Sequence, residues 1–292
     1  MIFSFISINV SALVFNELNK NNNSEKCYIS PSDSKIRIIH IILTRFMIKF
    51  DSYKHFFKKL YEEDYILNGI RVMKTYLFPS LENQSCKEFK WVLMLGDEAN
   101  ITYIKSLLDA KNSFESIVIY KKDIKYFIRN ITKGYDILIT TRIDYDDRIY
   151  YDAVNDVRKA INIYKPMIVY GYDSGLNYYE KDNTYYEFNY SYYNQGIMSI
   201  FVSLIVVLKN VNDTYTIYDL GSHIQVRKRI IDSYKSFGIK ELYYEPAVFD
   251  RGDKKFVWVR QKYAGTQFYS ESIKNSLKLY NFNLTKFYGK QK

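Results

Sequence analysis

Short apolar runs alternate with amphipathic stretches between Lys35 and Tyr172, and this pattern constrains the fold of the 292-residue chain more than any other. Apolar runs bounded by polar residues predict buried strands. Five such runs are present: Ile36–Leu43, Phe89–Leu95, Ser116–Tyr120, Asp136–Thr140 and Met167–Tyr170. Helices are predicted between them, around Ile66–Leu77, Ile101–Leu108, Ile124–Ile131 and Tyr150–Ile161. Strands that alternate with helices form a mostly parallel central sheet flanked by helices, so we predict an α/β fold.

The first predicted helix has the clearest periodicity. Ile66, Ile70, Met73 and Leu77 recur at spacings of three or four residues, which places them on one helix face. Pro79 is expected to end or kink this helix, because proline cannot donate a backbone hydrogen bond.

The chain after Tyr172 has a less regular pattern, typical of an α+β arrangement. Strands are predicted near Tyr185–Tyr190, Thr214–Tyr218 and Phe256–Arg260, and a helix from Ile224 to Tyr234. No Pro/Gly/Ser-rich linker divides the chain. We therefore expect one domain in three parts: an extension at residues 1–34, the regular half at 35–172 and the less regular part at 173–292.

The net charge of +10 is concentrated in the last quarter of the chain. From Gly221 to Lys292 there are 15 Lys or Arg and 6 Asp or Glu, which gives +9; the first 220 residues hold 27 and 26, which gives +1. A basic segment of this kind favours an anionic partner, such as phosphate groups, a membrane surface or nucleic acid. A solvated basic surface explains the same charge equally well.

Cysteine content and hydropathy bear on the compartment. Cys27 and Cys86 have no metal-binding spacing and no disulfide framework, which fits a reducing compartment. No run of 18 or more apolar residues is present, and the apolar start Met1–Phe15 lacks the basic start and cleavage site of a secretory signal. We therefore predict a cytoplasmic protein, with a peripheral membrane contact through the basic C-terminal segment as a further expectation.

Polar segments directly follow three of the predicted strands: Thr44-Arg45-Phe46, Gly96-Asp97-Glu98 and Arg142 through Asp147. In α/β sheets the ligand crevice lies at the carboxyl ends of the strands, so these segments are expected to meet there. The last of them places Asp144, Asp146 and Asp147 within four positions. Carboxylates this close repel one another unless a cation compensates them, and a hard divalent ion does so. The alternative is a solvated acidic turn in which Asp147 caps the following helix.

The order of these segments resembles that in glycosyltransferases with the GT-A fold. In those enzymes a helix ending in Ser-Leu-x-x-Gln leads to a strand that ends at an acidic residue, as the stretch from Phe78 to Asp97 does here. The segment Asp144-Tyr-Asp-Asp resembles their DxD motif. Thr44-Arg-Phe together with Thr141-Arg-Ile-Asp-x-Asp-Asp resembles more narrowly the rhamnosyltransferase family. The resemblance extends over residues 36–170 and implies a Rossmann-related sheet.

The resemblance also implies roles for individual residues. Thr44 and Arg45 would border the base and diphosphate of a nucleotide sugar, and Asp97 would contact the base or ribose. Asp144 would face the ribose or a metal-bound water. Asp146 would ligate Mn²⁺ or Mg²⁺, with Asp147 assisting. Arg142 would reach a phosphate or hold the carboxylates, and a simple salt bridge to Asp136 or Asp147 is the alternative.

An inverting transfer further requires a group that removes the proton of the acceptor hydroxyl. Asp219 and His223 are the favoured candidates, and His223 could equally be a metal ligand; the alternatives are Asp173, Glu187 and Asp213. Members of the family tend to carry a His and an Asn after a Trp-containing strand. Tyr263 and Thr266 stand there in this chain, so Arg260 and Lys262 become candidates for holding the diphosphate.

The predicted function is metal-dependent transfer of a hexose, with rhamnose as one option, from a nucleoside-diphosphate sugar to a glycan or lipid-linked acceptor. Residues 35–172 would bind the nucleotide sugar and residues 173–292 the acceptor. Two other classes stay open. The basic, aromatic-rich C-terminal quarter suggests a nucleic-acid-binding protein, although no such motif is recognised. A nucleotidyltransferase has a similar sheet and acidic ligands, although no Gly-rich basic phosphate loop follows the first strand.

Overall fold

The computed structural model describes residues 27, 35–49, 59–108, 114–172, 174–179, 184–189, 201–210, 215–220, 256–260 and 279–280. Its larger sheet contains six strands: β1 Ile38–Phe46, β2 Lys90–Leu95, β3 Glu115–Tyr120, β4 Ile137–Arg142, β6 Met167–Gly171 and β9 Val202–Val207. They lie in the order β3-β2-β1-β4-β9-β6. The pairs β3–β2, β2–β1 and β1–β4 are parallel, whereas β9 is antiparallel to both of its neighbours. The predicted α/β fold with a mostly parallel sheet is confirmed.

The other five described strands form a second, smaller sheet. Its strands are β5 Asp147–Ile149, β7 Ser174–Tyr179, β8 Thr184–Asn189, β10 Phe256–Arg260 and β11 Leu279–Tyr280. They lie in the order β11-β8-β7-β10-β5. Residues 143–146 connect β4 of the larger sheet to β5 of the smaller one. The acidic segment is therefore the point at which the chain passes from one sheet to the other.

Helices cover both faces of the larger sheet. They are α1 Glu63–Val72, α2 Phe78–Glu82, α3 Ile101–Leu108, α4 Ile124–Ile131 and α5 Ala153–Lys159. One buried cluster joins apolar residues of α1, α2, α3 and α5 to one sheet face, including Ile70, Leu81 and Val157. The other cluster joins Ile128 of α4 to the opposite face. None of the described helices is long and apolar enough to span a bilayer.

Pro79 does not end the first helical run. A π-helical segment, Met73–Leu77, continues α1 into α2, and α2 carries Pro79 in its first turn. The N–H of Phe78 donates to the carbonyl of Met73, five residues back. Proline is tolerated at the start of a helix because the first N–H groups have no partner within the helix. The run therefore reaches Glu82, so the expected end at the proline is wrong, whereas the alternative, a kink, remains a prediction.

The less regular part of the chain departs further from expectation. The strand β9 is absent from the predicted elements, although it is a fully buried apolar run that lies between β4 and β6. The strand predicted near Thr214–Tyr218 is wrong, because Ile217–Leu220 form a 3₁₀-helix. The strands predicted near Tyr185–Tyr190 and Phe256–Arg260 are confirmed as β8 and β10. The helix predicted from Ile224 to Tyr234 and most of the extension at 1–34 lie outside the described residues.

Cys27 and Cys86 are joined by a disulfide bond, with their Cα atoms 4.7 Å apart. The expectation that these cysteines form no disulfide is therefore wrong. Cys86 is fully buried and Cys27 packs against the same core cluster. Two isolated cysteines 59 residues apart have no spacing from which the pairing can be inferred. Because disulfides persist in oxidising compartments, the bond disfavours the reducing setting expected from the sequence.

We expect loss of the disulfide to destabilise the protein. A cross-link over a separation of 59 residues restricts the unfolded chain, and such a restriction stabilises a fold by about 2–4 kcal/mol. Dithiothreitol should lower the urea midpoint of the wild type, followed by circular dichroism. It should leave the midpoint of the Cys27→Ser/Cys86→Ser variant unchanged. A urea midpoint of the wild type that is the same with and without dithiothreitol would contradict a disulfide bond between the two residues.

His40 of β1 is a buried histidine within the sheet, as its position in an apolar run indicates. Its Nε2 atom lies 2.7 Å from Oγ1 of Thr141 on β4, and that hydroxyl lies 2.7 Å from Oγ of Ser203 on β9. A line of hydrogen bonds therefore crosses three strands. Burial, reinforced by the positive charge of Arg158, lowers the pKa of His40 from 6.5 to about 3. The imidazole is therefore neutral in the folded protein.

The low pKa of His40 predicts that stability falls with acidification. Between pH 6.5 and about 3 the unfolded chain binds a proton at His40 that the folded chain excludes. The burial of neutral His40 therefore lowers the free energy of unfolding by nothing above pH 6.5 and by an increasing amount as the pH falls below 6.5. Lowering the pH from 7 to 5 should cost about 2 kcal/mol through this residue. Urea unfolding of the wild type and of His40→Gln at both pH values measures it. The wild type should lose more stability than the variant, and equal losses would contradict the assignment.

Candidate active site

The carboxyl ends of β1, β2 and β4 lie side by side at one edge of the larger sheet. Arg45 of β1 is opposite Met94 of β2, and Leu43 of β1 is opposite Arg142 of β4. The two arginines therefore come from neighbouring strands, and Asp144 follows β4 after a single residue. The three polar segments lie at one sheet edge, as the strand-end rule predicts.

Asp144 lies between the two arginines. Nη2 of Arg142 is 3.3 Å from Oδ1 and 3.2 Å from Oδ2 of Asp144, and Nη2 of Arg45 is 3.5 Å from Oδ1. The side chain of Arg142 is 4% exposed, whereas those of Arg45 and Asp144 are 19% and 29% exposed. Burial alone would lower the pKa of Arg142, but the Asp144 carboxylate and other neighbours raise it overall. Arg142 is thus a buried guanidinium that stays charged.

Tyr218 completes this group from a distant part of the sequence. The Cζ atom of Arg45 is 4.9 Å from the centroid of the Tyr218 ring, and that of Arg142 is 5.6 Å from it. Both distances are within the range of cation–π attraction. Tyr218 is not among the predicted site residues, because the sequence pattern places it at the end of a strand near Thr214–Tyr218.

The three carboxylates of the acidic turn differ in exposure. The N–H of Asp147 donates to the carbonyl of Asp144 at 3.2 Å, which closes the turn. Asp146 is 4% exposed and its charge acts on Tyr145, whose pKa is raised first by burial and then by neighbouring groups. Asp147 is fully buried in β5. It does not cap the next helix, since Asp152 occupies the N-cap of α5. Among the described residues, no group of three or more His, Cys, Asp or Glu side chains could hold a metal ion by itself.

Thr44 and Asp97 have different environments at the sheet edge. Thr44 is fully buried, and its Oγ1 accepts a hydrogen bond from Nε1 of Trp91 at 2.9 Å. Asp97 is exposed directly after Gly96, where an added Cβ would lie 2.3 Å from the carbonyl oxygen of Met47. Glycine is therefore required at the end of β2 for this close approach. Asp97 is accessible to a ligand, whereas the Thr44 hydroxyl serves packing, and both predicted contacts remain predictions.

Of the two favoured base candidates, Asp219 lies within the described residues and His223 does not. Oδ2 of Asp219 accepts hydrogen bonds from the N–H and Oγ1 of Thr216 at 2.8 and 3.0 Å, which closes the 3₁₀-turn. Its Oδ1 lies 3.7 Å from Nζ of Lys125 on α4. Asp219 thus has a local structural function, and its role as a base remains a prediction. His223, Asp173 and Asp213 lie outside the described residues, as do Lys262, Tyr263 and Thr266.

The sheet covered on both faces, with arginines and a carboxylate at its carboxyl edge, is typical of α/β enzymes that bind phosphorylated ligands. The chain belongs to the family described as putative rhamnosyl transferase, whose match covers residues 38–228. It is therefore a glycosyltransferase, as the resemblance of its motifs implied. None of the curated proteins matches this sequence.

Solved structures resemble the chain only distantly. A putative nucleotide-diphospho-sugar transferase from Desulfovibrio desulfuricans is 10% identical, with 77% of this chain and 82% of that chain covered and a TM-score of 0.36. A cytidylyltransferase from Leptospira borgpetersenii is 12% identical, with 75% and 79% covered and a TM-score of 0.35. A putative glucose-1-phosphate thymidylyltransferase from Bacillus anthracis is 14% identical, with 72% and 86% covered and a TM-score of 0.33.

The burial of Arg142 predicts a measurable cost when Asp144 loses its charge. Asp144→Asn should lower the free energy of unfolding by about 1–3 kcal/mol, because it removes a carboxylate partner from a buried cation. Removing the cation as well, in Asp144→Asn/Arg142→Gln, should cost less than the sum of the two single changes. Urea unfolding of the four proteins gives this double-mutant cycle. Additive effects would show that the pair is not energetically coupled.

Proposed function

We propose that the chain transfers a hexose, with rhamnose as the first candidate, from a nucleoside-diphosphate sugar to a glycan or lipid-linked acceptor. The observation that carries this proposal is the pair Arg45 and Arg142 at the carboxyl edge of the sheet, in a chain of this family. Guanidinium groups form strong, charge-assisted hydrogen bonds with phosphate oxygens. The pair is thus suited to a donor diphosphate, with Asp97 beside it for the base or ribose.

The charges at this edge also suit the chemistry of the leaving group. As the bond between sugar and oxygen breaks, negative charge accumulates on the departing diphosphate. Fixed positive charges aimed at that position stabilise the transition state, and they do so more strongly where water is excluded. Arg142 satisfies this requirement because its guanidinium is charged and its side chain is 4% exposed. Arg45 is more accessible and would make the first contact with the donor.

Mn²⁺ or Mg²⁺ remains part of the proposal, with Asp144 and Asp146 as the residues that would hold it. When bound, the ion would neutralise charge on the leaving diphosphate. Such ions need only one or two carboxylates when diphosphate oxygens and water complete their shell, so a cluster of three protein ligands is not required. Asp144 is accessible enough for this role, being 29% exposed. Asp147 is the least suited of the three, because it is fully buried in β5.

The acceptor side of the proposal rests on the sequence. Asp219 or His223 would remove the proton of the acceptor hydroxyl, with residues 173–292 forming the acceptor side. A peripheral membrane contact through the basic C-terminal segment would bring the site to a lipid-linked acceptor, and nucleic acid is not expected as a partner. A cytoplasmic location remains a prediction, against which the disulfide between Cys27 and Cys86 weighs.

Incubation with a panel of nucleotide sugars in Mn²⁺ tests the function. A glycosyltransferase transfers the sugar to an acceptor or to water and releases a nucleoside diphosphate. A nucleotidyltransferase transfers the nucleotidyl group of a nucleoside triphosphate to a sugar phosphate and releases pyrophosphate. EDTA should abolish turnover and added Mn²⁺ should restore it.

Asp146→Asn should lower the turnover rate on the order of 10²-fold or more, because loss of a metal ligand raises the activation barrier by several kcal/mol. Asp123→Asn, an exposed carboxylate on the 3₁₀-turn before α4, is the matched control.

The outcomes separate the parts of this proposal. Release of a nucleoside diphosphate that persists in EDTA would reject the metal and retain the transferase. An active Asp146→Asn variant that is still silenced by EDTA would reject this ligand alone. No release from any nucleotide sugar, combined with pyrophosphate release from a nucleoside triphosphate, would reject sugar transfer.

A further inference from the structure

Tyr218 connects the two arginines of the candidate active site. Its ring faces both guanidinium groups, at 4.9 Å for Arg45 and 5.6 Å for Arg142. These cations lie near each other and would repel without compensation. The electron-rich ring attracts both, while the Asp144 carboxylate contacts both from its own position. The arrangement therefore fixes two like charges side by side, which a diphosphate with several anionic oxygens requires.

The backbone that carries Tyr218 is held firmly. The residue lies in the 3₁₀-helix Ile217–Leu220, whose two end residues are buried in the core cluster beside β1 and β4. The N–H of Ile217 donates to Oγ1 of Thr140 on β4 at 2.8 Å. Asp219 closes the turn through Thr216 and faces Lys125. These contacts fix the distance between the aromatic ring and the end of β4.

The phenol group of Tyr218 is itself engaged. Its hydroxyl donates to the carbonyl oxygen of Leu43 at 3.4 Å, the same oxygen that accepts the N–H of Ile143 at 3.1 Å. Burial raises the pKa of Tyr218 to about 12, although both arginines oppose the rise. The phenol is therefore protonated at neutral pH. It acts as a hydrogen-bond donor to the sheet and is not suited to accept a proton from a substrate.

We propose that Tyr218 is a positioning residue, which holds Arg45 and Arg142 in a shared orientation for the diphosphate of the donor. The inference rests on the proposed function, since it assumes that the two arginines bind that diphosphate. The aromatic ring is the essential part of the side chain, because the cation–π contacts involve its face. The hydroxyl adds the contact with the carbonyl of Leu43 and a hydrogen bond with Arg45.

Binding of uridine diphosphate, thymidine diphosphate and inorganic pyrophosphate, measured by isothermal titration calorimetry, tests this inference. Tyr218→Phe retains the ring and should bind within about threefold of the wild type. Tyr218→Leu removes the ring and should weaken binding about tenfold or more, which corresponds to the loss of two cation–π contacts. Tyr218→Met, whose flexible side chain fills much of the same space, should weaken binding similarly and guards against a folding defect. Tyr126→Leu, at an exposed tyrosine of α4, is the control.

Kinetics with an active nucleotide sugar distinguish positioning from general destabilisation. The Leu and Met variants should raise KM for the donor more than they lower kcat, and the Phe variant should recover both. Folded Leu or Met variants that bind pyrophosphate as tightly as the wild type would overturn the role of Tyr218. A Phe variant as defective as they are would overturn the role of the ring. A wild type that binds none of the three anions and turns over no nucleotide sugar would instead overturn the proposed function.

Discussion

The parallel pairing of β1 with β2 on one side and β4 on the other is the constraint on which the rest of the structure depends. Parallel strands end at the same edge, so the pairing gathers residues that are far apart in the sequence. Arg45 and Arg142 become neighbours because Leu43 is opposite Arg142 in the register. The carbonyl of Leu43 then receives both the N–H of Ile143 and the phenol of Tyr218. A shift of the register by one residue would move the arginines to opposite faces of the sheet.

The charged side chains at the carboxyl ends of these strands are partly buried, and neighbouring groups compensate their charges. A buried guanidinium is costly unless an anion and hydrogen bonds compensate it. Asp144 supplies the anion for Arg142 and shares it with Arg45, and the ring of Tyr218 supplies a weaker attraction to both. An anionic ligand would compete with Asp144 for the same donors. Such competition would release the carboxylate of Asp144 from the arginines as the ligand binds. Without a ligand, the same carboxylate would compensate the positive charges of Arg45 and Arg142.

Several elements could be predicted from the sequence because their signals are local. The runs around β1, β2 and β4 are continuous and apolar, which marks strands buried on both faces. The helix around Ile128 has a strong apolar stripe, and its predicted bounds match. The 3₁₀-turn at Ile217–Leu220 could not be predicted in this way, because it also depends on a contact with a distant segment, in which the N–H of Ile217 donates to Oγ1 of Thr140 on β4. The end of the first helical run could not be predicted from Pro79, because the effect of a proline depends on its position in the helix.

The sequence by itself determined the class of fold, the carboxyl ends of the strands where the candidate site lies and most of the charged residues of that candidate site. It did so because hydrophobic periodicity and the position of polar residues after strands are local properties of the chain. Only the tertiary structure decided that Asp144 bridges two arginines, that Asp147 is buried in a second sheet and that Cys27 meets Cys86. It also brought Tyr218 to both arginines across the sheet. Such contacts depend on strand register and packing between distant segments, and no local pattern of residues encodes them.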